Sequence, residues 1–125
     1  MQSDFKLLYV DDEATNLQLF YLNFRKDFEV YTATDAYEGL ELLKSHSDEI
    51  VIVISDMKMP GMNGLEFIRK AKEIYPLKKY FILTGFNITP EINQAIDEGL
   101  ILKCFSKPFN ITEIRNAIYE VVDSE

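Results

Sequence analysis

The sequence predicts an α/β fold: (βα)5, a doubly wound, parallel five-stranded sheet with helices on both faces. Three observations carry this. Short apolar runs alternate with longer stretches of helical period along the 125 residues, which is the pattern of repeated strand–helix units. One run, Ile50-Val51-Ile52-Val53-Ile54, is wholly β-branched. Such residues are stiff at χ1 and favour strands, and the lack of polar alternation implies cover on both faces, as in the middle of a parallel sheet. The connections are short, and crossovers of this type are right-handed almost without exception.

Residues 5–10 form the first predicted strand, ending at Asp11-Asp12. Residues 14–26 follow as a helix, with Leu17, Phe20, Tyr21 and Phe24 on one face. Residues 28–33 are the second strand. Asp35 is an N-cap for the second helix, Glu38 is spaced to close a capping box, and Leu40, Leu42 and Leu43 supply the apolar side. The third strand, residues 50–54, stops at Ser55-Asp56. A loop with Pro60, Gly61 and Gly64 leads into a helix capped by Asn63 and Glu66 and running through Ile74. Residues 80–84 are the fourth strand. Thr89-Pro90 places a cap before proline at the first helical position, and that helix reaches about Glu98, where Gly99 ends it. Residues 101–106 are the fifth strand. Asn110 and Glu113 cap a last helix to about Val122, with residues 123–125 expected to fray. There is no internal repeat or linker, so residues 1–125 read as one domain, whole or excised from a longer chain.

Lys plus Arg number 13 and Asp plus Glu 21, a net charge of −8. That sign repels nucleic acid and anionic membranes, and it argues against direct binding to either. The lone cysteine, Cys104, excludes an intramolecular disulfide and a thiolate zinc cage, and fits a reducing compartment. Residues 1–4 lack the features of a signal peptide, and no apolar run approaches the ~20 residues that span a bilayer. A cytoplasmic location is expected.

Ligands of open α/β sheets bind beyond the carboxyl ends of the strands. There the sequence places Asp11 and Asp12 after the first strand, Asp56 after the third, Thr84 at the end of the fourth and Lys107 after the fifth. Three carboxylates together need counter-charge. Oxygen donors without thiolate or imidazole favour a hard cation, Mg²⁺ before Ca²⁺. One carboxylate can then act as nucleophile toward a phosphoryl group, with Lys107 as a point charge and Thr84 as a hydroxyl donor.

Four motifs carry a resemblance: Val10-Asp11-Asp12-Glu13, the run from Ser55-Asp56-Met57-Lys58 through Met59-Pro60-Gly61-Met62-Asn63-Gly64, Thr84-Gly85, and Ser106-Lys107-Pro108-Phe109. In this order the sequence resembles a two-component response-regulator receiver domain over nearly its whole length. The resemblance implies a flavodoxin-like strand order of 2-1-3-4-5. It implies that Asp56 accepts phosphate from a histidine kinase or phosphotransfer protein. Asp12, Asp56 and the backbone carbonyl of Lys58 would ligate Mg²⁺ directly, with Asp11 holding metal-bound water. Lys107 would pair with the phosphoryl group beside a cis Lys107–Pro108 peptide, and Thr84 would be the switch hydroxyl. The domain would then be a switch that catalyses only its own phosphorylation and dephosphorylation, with an output partner left open.

Two features depart from that pattern. Most such domains carry Tyr or Phe where this chain has Cys104, and strand alternation sends the adjacent Phe105 to the other side. Gly85 stands where Ala is commoner. Residues 95–101 are more similar to receivers joined to cyclic-dinucleotide phosphodiesterase or hybrid kinase modules than to dimerising DNA-binding regulators. Two other functions stay open. Asp11-Asp12-Glu13-Ala14-Thr15 faintly resembles the nucleophile loop of haloacid-dehalogenase-type phosphatases, with Asp11 as nucleophile. A receiver-like scaffold binding without phosphate is the other. His46, late in a helix among Lys44, Ser45 and Ser47, suits a helix C-terminus for dipole reasons alone.

Overall fold

The computed structural model describes residues 5–85 and 87–123. Five strands and five helices alternate: β1 Lys6–Val10, α1 Ala14–Phe24, β2 Glu29–Ala33, α2 Ala36–Ser45, β3 Ile50–Asp56, α3 Gly64–Ile74, β4 Lys79–Thr84, α4 Pro90–Asp97, β5 Lys103–Ser106 and α5 Ile111–Asp123. The sheet is parallel throughout, in the order β2-β1-β3-β4-β5, as the resemblance implied. None of the described helices is long and apolar enough to cross a membrane.

Each sheet face buries its own core. Leu17, Phe20 and Phe24 of α1, with Ile114, Ala117 and Ile118 of α5, pack on Leu7, Tyr9, Ile52 and Ile54. Helices α2, α3 and α4 cover the other face, where Leu43, Phe67, Ile68 and Ile92 meet Leu8, Val10, Val53 and Ile82. Burying each such side chain stabilises the fold by roughly 1.5–3 kcal/mol. The β1–β3 register shifts between Lys6 and Leu7, whose partners are Ile50 and Ile52. Val51 is skipped, so it and Ile52 both pack toward the α1/α5 side.

The caps form largely as the sequence predicts. Asn63 and Glu66 make a complete capping box. Thr89 accepts from the Ile92 amide, and Asn110 from the Glu113 amide. Asp35 accepts from the Glu38 amide, but Glu38 reaches back to the Thr34 amide at 2.7 Å, one residue before the expected donor. Gly99 takes φ +79° after α4, a conformation few other residues adopt without strain.

Several expectations need correction. Tyr21 is 42% exposed; one residue past Phe20, it lies about 100° round the helix, off the buried stripe. On α2, Leu40, Leu42 and Leu43 do supply the apolar side, Leu43 fully buried and the other two half-buried against the same core, while Ala36 and Gly39 are buried with them. β3 ends in Asp56, as expected: the apolar run stops at Ile54, but Ser55 and Asp56 still pair with Ile82 and Leu83. β5 starts two residues late because the amides of Leu100 and Ile101 turn back to Ala95 and close α4. Phe28 is not in β2, since its amide completes the end of α1 at Phe24. α5 includes Asp123; residues 124 and 125, also expected to fray, and residues 1–4 lie outside the described residues.

Candidate functional site: an acidic cluster at the strand ends

The strands deliver the site. Beyond β1, the Asp11 amide still donates to Ala33 at 3.1 Å, so Asp11 is held like a strand residue. Its side chain has no exposed surface. Both carboxylate oxygens are engaged: Oδ1 accepts from the Glu13 amide at 3.0 Å, and Oδ2 accepts from the Tyr9 hydroxyl at 2.6 Å and from Lys107 Nζ at 3.1 Å. Tyr9 is itself fully buried, stacked on Phe20 at 4.2 Å with Phe109 edge-on at 6.1 Å.

Asp56 ends the central strand and keeps 6% of its surface exposed. Lys107 Nζ lies 3.2 Å from its Oδ1. Lys107 is placed in turn by its amide, which donates to the Thr84 carbonyl at 2.8 Å, and it precedes the expected cis bond to Pro108. Thr84 is buried and ends β4, one step beyond Leu83, the register partner of Asp56. Asp12 is exposed. Carboxylate oxygens of Asp11, Asp12 and Asp56 lie within 4.8 Å of one another. All three predicted acids, and Lys107, therefore converge.

The electrostatics follow from that geometry. Burial, and then the Asp11 charge, push the Asp56 carboxyl up to about 6 against the pull of Lys107. Burial draws the Lys107 ammonium down, but Asp56 and Asp11 outweigh it and leave it above the ordinary lysine value. Burial and the bond to Asp11 raise Tyr9 far above the usual phenol range, so it stays a neutral donor. An all-oxygen cluster with unbalanced negative charge fits a hard divalent cation.

Two shallow clefts flank the cluster, both lined by Lys58 and Asn63. One, of about 340 Å³, includes Asp12, Met59 and Pro60. The other, of about 350 Å³, includes Met57, Thr84 and Pro90. Met59 and Met62 are buried loop packing, as methionines in such loops commonly are. Behind the loop, the Gly64 amide donates to the Met57 carbonyl at 2.8 Å, and a β-carbon at Gly64 would overlap the Asp56 carbonyl oxygen.

Two residues of the site, Tyr9 and Gly64, are given no role by the motifs in the sequence. Tyr9 was legible in principle, because residues two apart on a strand share a face with Asp11. By sequence Gly64 is only a loop glycine; its closeness to Asp56 depends on the loop path. The other marked residues lie elsewhere. His46 caps the far end of α2, stacked on Tyr31 at 4.5 Å with Nδ1 3.0 Å from Glu49. Cys104 is half-buried against the α2/α3/α4 core while Phe105 enters the other, and burial raises its thiol.

Residues 7–119 match the family model of the response regulator receiver domain. The chain is 30% identical over 114 residues to sporulation initiation phosphotransferase F of Bacillus subtilis, covering 90% of each. It is 29% identical to the transcriptional regulatory protein GlrR of Escherichia coli, covering 94% of this chain but 25% of that one. Among solved structures, a response regulator receiver domain protein from Clostridium thermocellum superposes with a TM-score of 0.89 at 32% identity, covering 96% of this chain and 95% of that one. A CheY-like receiver domain protein from Methanospirillum hungatei gives 0.86 at 26% identity, covering 98% and 96%. The fold, the acidic cluster and these likenesses agree: the chain belongs to the response regulator receiver domain family and functions in two-component signal transduction.

Proposed function

We propose that Asp56 is the residue that accepts the phosphoryl group, taken from a phosphohistidine on a sensor kinase or phosphotransfer protein. The observation that carries this is the position of Asp56: it ends the central strand, retains exposed surface, and has Lys107 Nζ 3.2 Å from Oδ1. A carboxylate oxygen of Asp56 attacks phosphorus, the bond to the donor imidazole breaks, and the imidazole leaves with the electron pair. Lys107 pairs with a phosphoryl oxygen. Thr84 is the hydroxyl that responds, and phosphate adds about −1.5 to −2 charges to bias the surrounding loops.

Asp12 and Asp56, with the backbone carbonyl of Lys58, are the residues that would hold Mg²⁺, and Asp11 would hold a water on it. When bound, the ion supplies positive charge that offsets the cluster and the incoming phosphoryl group. Asp11 is a poor nucleophile by contrast: it has no exposed surface and both oxygens are bonded. The domain is thus a switch acting on its own aspartate, working in the cytoplasm, with residues 1–125 as one receiver unit.

The test is incubation with Mg²⁺ and a small phosphodonor such as acetyl phosphate. The protein gains one phosphoryl mass, and Asp56→Asn does not. An unchanged mass in the wild type overturns the assignment. Partner binding that persists undiminished in Asp56→Asn would instead identify a phosphate-independent scaffold.

A further inference from the structure

At the end of the sheet away from Asp56, an open groove of about 680 Å³ runs beside the start of β3, the α3–β4 connection and the α4–β5 connection. β3 has seven residues, so the groove and the acidic cluster are separated by roughly 20 Å of strand. The groove is apolar. Leu77 stands 87% exposed on its wall and Leu102 43%, with Val51 and Leu100 less exposed along it. Two exposed leucines lining one groove make an apolar patch, and contiguous exposed apolar surface marks interaction sites.

The charges run against the character of the chain. Acids outnumber bases 21 to 13 overall. Yet Lys72, Lys78 and Lys79 line the groove, with Asp48 as its only acid among the described residues. Backbone carbonyls, not carboxylates, hold two of these ammonium groups. Lys72 donates to Gly99 at 2.5 Å, and Lys78 donates to Ser47 and Ile50, each at 2.5 Å. An ammonium has three donors, so these bonds leave donors over at both residues. Burial pulls Lys78 below the ordinary lysine range, with Asp48 a weaker opposing influence.

We propose that this groove docks a segment of a partner protein in which one or two large apolar side chains are flanked by carboxylates. Apolar anchors enter between Leu77 and Leu102, and the flanking acids reach Lys72 and Lys78. A small molecule fits poorly, because small ligands usually bury most of their surface and this trough is open. Charge complementarity selects an acidic segment over a basic one. The docking is independent of phosphorylation at Asp56.

Fluorescence anisotropy with a dye-labelled synthetic peptide of Leu, Phe and Glu tests this, beside a twin with Lys for each Glu. The acidic peptide binds about tenfold or more tightly than its twin. Leu77→Asp and Lys72→Glu each weaken it about fivefold or more, and circular dichroism of Leu77→Asp, a change on an exposed side chain, shows the fold intact. Beryllofluoride with Mg²⁺ leaves the affinity unchanged. No binding of the acidic peptide, equal binding of the twins, or indifference to both substitutions overturns the proposal. Self-association abolished by Leu77→Asp overturns it too, by placing a second copy of the chain in the groove.

Discussion

The Tyr9 hydroxyl donates to Asp11 Oδ2 at 2.6 Å, and neither residue has any exposed surface. A hydrogen bond to a charged group is worth about 1.5–3 kcal/mol, and here its loss leaves a buried carboxylate with one donor fewer. Tyr9→Phe keeps the ring stacked on Phe20 and removes only that donor. We predict a loss of about 1.5–3 kcal/mol in urea unfolding at neutral pH, with the midpoint lowered and the slope unchanged. A change within a few tenths of a kcal/mol would show that the bond is not held in solution.

Asp56 predicts a pH dependence in protein freed of divalent cations. Its carboxyl is raised from an ordinary 3.8 to about 6, so folding favours the protonated form. That contribution to stability is fully present below about pH 4 and is lost as pH rises through about 6. Asp56→Asn, which never ionises, is expected to be more stable than the wild type by about 1–3 kcal/mol at pH 7.5, with the advantage vanishing near pH 4. Thermal melts across that window, in chelator, measure it. A constant difference at all pH values would contradict the shift.

Gly64 predicts a steric effect. A β-carbon there meets the Asp56 carbonyl oxygen and the Ile82 side chain at once, and backbone cannot rotate away as a flexible side chain would. Gly64→Ala should cost about 1–3 kcal/mol as overpacking and slow phosphoryl uptake at Asp56. Wild-type stability and uptake in the variant would show that the loop has room.

The acidic cluster predicts ligand linkage. Mg²⁺ at about a hundred times its dissociation constant should stabilise the native protein by about 2.7 kcal/mol. Asp12 is exposed, so Asp12→Ala should change the cation-free stability by no more than about 0.5 kcal/mol while most of the Mg²⁺-dependent gain disappears. Calorimetric melts with and without Mg²⁺ separate the two effects.

The sequence makes the frame of this site legible because four of the five apolar runs stop at a polar or charged residue that chemistry can use. Asp11, Asp56, Thr84 and Lys107 could be placed at one edge from apolar run lengths alone. The β-branched run from Ile50 marked the central strand for the same reason. What escaped depends on paths between elements. The approach of Gly64 to Asp56 follows from the loop after β3, whose course no periodicity records. The late start of β5 follows from two amides claimed by the end of α4. Tyr21 lies off the buried stripe, yet by residue type a side chain at a stripe's flank looks like one at its centre. The lysine-lined groove draws on residues 72 to 79 and on Ser47, Ile50 and Gly99, which meet only in three dimensions.

β3 remains hydrogen-bonded through its last residue: Asp56 faces Leu83 in the ladder, and the next amide, that of Met57, still donates to the Leu83 carbonyl at 3.2 Å. The acid beside Lys107 that keeps some exposed surface is thereby part of the central strand, which is paired on both sides by β1 and β4. It serves as a fixed datum, and any change of shape that accompanies its modification has to be taken up by the segments around it. On the proposed function, a partner that distinguishes the phosphorylated form would read displaced neighbours against an aspartate held in the sheet.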